Sequence, residues 1–230
     1  MKYSEYERFL SPKRLQRYVL ACNGDKRKAI TLYRYNLRLS QEMFSIIGCF
    51  EVSLRNAIDG ILTPILGAEW LKDSIMPNGI FTNPVLADTS NKITKELQKL
   101  QQNGSYSHSK LLASMDFGTW KYMFSRLQYL QTQQTLLNAF PYKQRSSRGN
   151  QINRQYIFNE LGKINTLRNR IAHHEPICFR TGDDVIYTDY IINEHAKIQT
   201  LFLWMGIDAK SMLYGLDHVQ TICDKINKLR

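Results

Sequence analysis

From Lys26 to Ile65 apolar side chains return at nearly every third or fourth position, and no other feature limits the fold so strongly. Ile30, Leu32, Tyr33 and Leu37 are followed, from Gln41 on, by Phe44, Ile47, Phe50, Leu54, Ile58, Ile61 and Ile65. This is the period of an α-helix with one buried stripe, and a strand, with its period of two, cannot present it. The stretch is expected to form one very long helix, or two in series broken near Leu39-Ser40. A stripe of that length needs other helices to cover it. The remaining apolar residues mostly keep helical spacing, and only 12 Gly and 6 Pro are spread over 230 residues, so an all-α architecture is expected.

Helix-start signals divide the rest. Ser11-Pro12 has the form of an N-cap followed by proline at the first helical position, and Leu15, Tyr18 and Val19 predict a short helix ending near Asn23-Gly24. Asp25 can cap the long helix. Residues 67–109, with Pro77, Gly79, Pro84 and Gly104, form the least regular part, an expected insert holding one helix from Asn91 to Gln101. Asp116 can cap an aromatic-rich helical segment that continues to about Ala139 after a weak break near Ser125, and Phe117, Trp120, Tyr122 and Phe124 are assigned to its core. A basic loop from Pro141 to Asn153 leads into a helix predicted from about Asn150 to His173, with Ile157, Leu161, Ile164 and Ile171 on one stripe and Arg168 on the same stripe. A helix from Val185 to Met205 and a last one, capped by Asp208 and running to Leu229, complete the chain. No internal repeat divides it, and its length suits one domain over residues 1–230.

The 31 Lys and Arg exceed the 20 Asp and Glu, giving a formal charge of +11 that favours polyanionic partners, although a solvated basic surface would give the same balance. No apolar run approaches the roughly 18 to 20 residues of a membrane span, and the opening residues carry no apolar signal-peptide core, so a cytoplasmic protein without a membrane partner is expected. Cys22, Cys49, Cys178 and Cys223 are far apart, with no zinc-ligand spacing, and are expected to be reduced structural thiols. No metal and no cofactor are called for.

The densest group of reactive side chains is Asn165-Thr166-Leu167-Arg168-Asn169-Arg170-Ile171-Ala172-His173-His174-Glu175, followed by Pro176. On a continuous helix Arg168 and His173 differ by about 500° of rotation, whereas Asn165, Asn169 and His173 recur at i, i+4 and i+8 on one face. Two amides, an imidazole and a nearby guanidinium suit attack by an RNA 2′-hydroxyl on its adjacent phosphate. Imidazole can move the proton near neutrality, and the always-charged guanidinium can stabilise the phosphorane. The alternative is that these cations are ordinary partners of a helix C-terminus, where positive charge is favoured.

Arg168 through His173 resembles the RNxxxH form of the motif of the HEPN superfamily, and Leu167 through Ile177 is similar to the signature of Abi-type (abortive infection) proteins. Phe50-Glu51-Val52-Ser53-Leu54-Arg55-Asn56 is similar to that family's E-x-x-LRN segment, and Phe117-Gly118-Thr119-Trp120 resembles its FG-x-W segment. The three stand in the expected order over most of the chain. The resemblance implies a HEPN-like helical bundle, here with added N- and C-terminal helices, and a homodimer that joins two motifs in one cleft. It also implies a metal-independent endoribonuclease used in phage defence or as a toxin, with association with small structured RNAs. Arg168 and His173 match the catalytic pair, and Asn169 the polar residue that positions them.

Around that centre, His174, Glu51, Arg55 and Asn165 are candidate supporting residues. Glu51 and Arg55, with Asp59, are spaced as an ion-pair ladder on the long helix that is either structural or reaches the cleft to set the His173 tautomer. Lys143, Arg145, Arg148, Arg154 and Arg170 are the candidate RNA-backbone contacts. His108, His195 and His218 receive no role. The competing expectation from another class is a non-catalytic RNA-binding module that sequesters RNA or pairs with a partner protein.

Overall fold

The structure, a computed structural model, describes residues 2–149 and 151–230. It is all-α: among the described residues there is no strand, and Phe179 and Ile186 form an isolated antiparallel bridge. Contacts divide the chain into two compact units, the first made of Met1–Gly48, Thr166–Thr200 and Asp208–Arg230, the second of Cys49–Asn165 and Leu201–Ile207.

The long stripe forms a single helix, α3 (Lys26–Leu66), and the expected break near Leu39-Ser40 is absent. Leu39 is fully buried within it, and neither Gly nor Pro is present there to stop the helix. The buried seam is Ala29, Leu32, Tyr33, Asn36, Leu39, Met43, Ile46, Ile47, Phe50, Leu54, Ile58 and Leu62, while Leu37, Phe44 and Ile65 of the expected stripe stand partly in solvent. Apolar residues on two neighbouring faces allow two readings of the seam, and packing selects the one through Met43 and Ile46.

In the first unit, α1 (Tyr3–Leu10), a helix not expected from the sequence, precedes α2 (Pro12–Ala21). The Ser11 hydroxyl caps α2 at the Arg14 amide (3.4 Å), and Asp25 caps α3 at the Arg27 and Lys28 amides (2.9 and 3.0 Å). Tyr18 meets Tyr33 and Phe179 edge-on, at ring centroid distances of 5.3 and 5.0 Å. Cys22, Cys178 and Cys223 are buried free thiols, and burial pushes the Cys223 thiol up to about 11, which keeps it protonated and a packing residue.

The second unit carries α4 (Trp70–Asp73), α5 (Ala87–Gln102), α6 (His108–Ser114), α7 (Phe117–Tyr122) and α8 (Arg126–Gln131). The insert is thus more regular than expected, with α5 starting four residues early. The aromatic-rich segment breaks near Ser125, as expected, into α7 and α8, but beyond α8 it forms a short 3-10 turn at Leu136–Ala139 and does not continue as α-helix. Asp116 caps α7 at the Thr119 amide (2.7 Å). Phe117, Trp120 and Phe124 are fully buried, whereas Tyr122 is 46% exposed and rests beside Lys121 and Phe158. Asp59 accepts hydrogen bonds from Trp70 Nε1 (2.8 Å), His108 Nε2 (2.8 Å) and Thr63 Oγ1 (3.2 Å).

Helices α9 (Arg154–Ala172) and α10 (Asp189–Trp204) are shorter than expected, and the predicted start of α9 at Asn150 lies outside the described residues. The predicted last helix is two, α11 (Ala209–Met212), capped by Asp208, and α12 (Val219–Asn227). No helix among the described residues is long and apolar enough to cross a membrane.

Candidate functional site

The end of α9 is built by a hydrogen-bond pattern that is independent of what its side chains do. His174 N–H donates to the Ile171 carbonyl (2.9 Å) and Glu175 N–H to the Arg170 carbonyl (2.8 Å), the paired bonds of a Schellman cap. His174 occupies the left-handed position of that cap, at φ 56°, where glycine is the ordinary occupant. The cap ends the helix immediately after His173 and turns the chain toward Pro176.

Three side chains fix the turn, two of them from helices distant in sequence. Arg14 of α2 donates to the His174 carbonyl. Arg170 reaches forward to the Pro176 carbonyl (2.8 Å) and stands 3.5 Å from the Glu175 carboxylate. Asn36 of α3, buried to 3% exposure, accepts both the Ile177 and Cys178 amides on Oδ1 (2.9 and 3.2 Å). Beyond these, Arg17 pairs with Asp184 at 2.6 Å and stacks over Phe179, closing the link that follows the motif. Asn36, Arg14 and Arg17 were not singled out from sequence, because their partners lie more than a hundred residues away.

Against this frame the motif residues separate clearly. Leu167, fully buried, takes the place on the apolar stripe that was expected for Arg168. Both are one turn beyond Ile164, and burial favours the uncharged one. Arg168 is half-buried, its guanidinium over the Phe44 ring at 6.0 Å, with no carboxylate partner among the described residues. Asn169, His173 and His174 are exposed, and their side chains meet no hydrogen-bond partner among the described residues. One cation resting on an aromatic face, one amide and two open imidazoles at a helix end can bind a phosphate and exchange protons with it.

The other candidates fall elsewhere. Asn165, half-buried, precedes Asn169 by one turn of α9 and belongs to the second unit, as do Glu51 and Arg55. The ladder does not form as drawn: Arg55 makes no ion pair among the described residues, and Asp59 is engaged by Trp70, His108 and Thr63. Of the candidate RNA contacts, Arg145 and Arg148 are exposed and Lys143 is half-buried on the loop before α9. Arg154 is turned back onto the Phe124 carbonyl at 3.0 Å, and Arg170 is engaged in the turn described above.

The histidines given no role all face carboxylates. His108 meets Asp59, His195 meets Asp217 at 2.7 Å, and His218 meets Glu42 at 3.2 Å. They tie elements together within their own units. Among the described residues no group of three or more His, Cys, Asp and Glu side chains is arranged to hold a metal ion.

Comparison with known proteins gives one family. The model of the Abi-like protein family matches residues 1–178, more than three quarters of the chain and all of the motif through Cys178. No curated protein and no solved structure matches.

Proposed function

Since this chain belongs to the Abi-like protein family, we propose that it is a metal-independent endoribonuclease of HEPN type that acts on single-stranded RNA in abortive infection, as a phage-defence toxin. The observation that carries the proposal is the division of labour at the end of α9. Arg14, Arg170 and Asn36 hold the turn, which leaves Arg168 without an anionic partner and Asn169 and His173 open to solvent. A purely structural arginine at this place would be expected to take a carboxylate or a carbonyl, as Arg14, Arg17 and Arg170 do.

In this reading His173 takes the proton from a ribose 2′-hydroxyl. The 2′-oxygen bonds to the adjacent phosphorus, the bond to the 5′-oxygen breaks, and that oxygen leaves as a 5′-hydroxyl after receiving a proton. The other product is a 2′,3′-cyclic phosphate. Arg168 swings from Phe44 onto the phosphorane oxygens, and Asn169 orients the scissile phosphate. One motif offers one imidazole in register with Asn169, so a second copy of the chain supplies the opposite acid, and the active form is a homodimer. Arg145 and Arg148 hold the RNA backbone.

Incubating the purified protein with labelled single-stranded RNA in EDTA, beside Arg168→Ala and His173→Ala, tests the reading. Cleavage by the parent protein that both variants lose supports it. Equal cleavage by all three, or cleavage that requires a divalent ion, overturns it, and RNA binding without cleavage in any of them favours a non-catalytic RNA-sequestering module.

A further inference from the structure

In the second unit an open cavity of about 500 Å³ lies between α8 and the start of α9. Its walls include Arg126 and Arg154, Leu130 and Leu137, and the amides of Gln134 and Gln155, with no carboxylate among the lining residues. Arg154 is set in place by the Phe124 carbonyl and by Gln155 Oε1 at 3.2 Å, while Arg126 is exposed and meets no partner among the described residues.

The rim is built at a steric cost. Gln133 and Gln134 are consecutive left-handed residues, at φ 53° and 60°, and their amides close the end of α8 on the Leu130 and Tyr129 carbonyls (3.1 and 2.9 Å). Glycine is the ordinary occupant of such a cap, so glutamine here keeps an amide side chain at the cavity mouth against a conformational penalty.

Two guanidiniums without a carboxylate select an anion with several oxygens: the open fork of Arg126 fits phosphate, and Arg154, held by the Phe124 carbonyl and Gln155, adds its fixed charge beside it. The leucines offer an apolar face to a flat ring, and the exposed Gln134 amide offers a donor and an acceptor to a ring edge, the Gln155 amide being taken up by Arg154 and by Asn159 Oδ1 at 2.9 Å. Inorganic phosphate would leave the apolar wall and the Gln134 amide unused, and the volume falls in the range of small-ligand sites. We infer that this cavity binds a phosphorylated nucleoside, either as a free nucleotide or as one residue of an RNA chain. The inference does not depend on cleavage at the α9 motif.

The test uses the full chain carrying His173→Ala, so that RNA is not consumed, titrated calorimetrically with the four nucleoside monophosphates and with a short single-stranded RNA oligomer. Arg126→Glu is expected to weaken binding by about tenfold or more. Lys95→Glu, an equal change of charge at an exposed residue outside the cavity lining, should leave binding unchanged. Gln134→Gly should raise the melting temperature while weakening binding, a split that a purely structural residue would not give. Monophosphate binding with this pattern identifies a free-nucleotide site, and the pattern with the oligomer alone identifies a station on an RNA path. Absence of binding to either ligand, binding that Arg126→Glu leaves intact, or equal loss in Lys95→Glu overturns the inference, and none of these outcomes bears on cleavage by the parent protein.

Discussion

The guanidinium of Arg168 lies over the ring of Phe44, 6.0 Å from its centroid, on a face where Phe44 itself is 43% exposed. An aromatic face attracts a cation weakly enough to release it, at roughly 0.5–1 kcal/mol for an exposed site. A carboxylate partner would hold it more firmly and compete with an incoming phosphate. Phe44 therefore sets the resting position of Arg168 without neutralising it.

Phe44→Leu is expected to keep the fold, because the side chain is half in solvent, with a stability change within about 1 kcal/mol. It removes the ring face that orients Arg168, so RNA cleavage should fall by roughly tenfold if alignment of the guanidinium contributes on the order of 1.4 kcal/mol to the barrier. Chemical denaturation and single-turnover cleavage, measured on the same preparation, separate the two effects. A large loss of stability with unchanged cleavage would show Phe44 to be packing alone.

His174 tells a different story from its neighbour. Its left-handed backbone serves the cap, and a glycine there would relieve a steric cost of about 1 kcal/mol. His174→Gly is thus expected to stabilise the protein by up to roughly 0.5 kcal/mol in urea denaturation, since the entropy of glycine in the unfolded chain offsets much of the gain. If cleavage persists in this variant, proton transfer belongs to His173; if it is lost while stability rises, His174 shares in it.

The parts of this arrangement that could be read from sequence are those written in local spacing. Ser11, Asp25, Asp116 and Asp208 announce helix starts within three residues of themselves, and all four cap helices. The side of a helix is harder to read where two apolar faces adjoin. Leu167 and Arg168 stand equally well after Ile164, and Met43 and Phe44 compete in the same way on α3, so only packing decides which is buried. Long-range partners leave no local trace: Asn36 and Ile177 are 141 residues apart, Glu42 and His218 are 176 apart, and neither pair has a period that would reveal it.

Removing the carboxamide acceptor at Asn36 would leave the Ile177 and Cys178 amides buried without partners. Each orphaned group costs about 1–3 kcal/mol, so losing the acceptor of both in Asn36→Ala should destabilise the protein by about 2–6 kcal/mol. Hydrogen exchange should quicken first at these two amides and along the turn held by Arg170. Since Asn36 reaches no motif side chain directly, a pronounced loss of cleavage without loss of protection at Ile177 would refute its assignment as the anchor of the turn.

Asp59 supplies the pH dependence. Burial raises its carboxyl pKa, but the hydrogen bonds from His108, Trp70 and Thr63 and the His108 charge outweigh it, and the carboxyl is held below the ordinary aspartate value near about 4. The folded state therefore prefers the ionised form more strongly than the unfolded chain does. The resulting stability is fully present above the unfolded value and is lost as the pH falls through the lower, folded value. Asp59→Asn, which cannot ionise, is expected to be less stable than the parent at pH 7, and the gap between them should narrow once the pH drops below about 4. Urea denaturation of both proteins from pH 7 down to pH 3 measures the gap directly. A gap that stays constant over this range would mean that Trp70 and His108 bind the side chain at Asp59 for its shape and not for its charge.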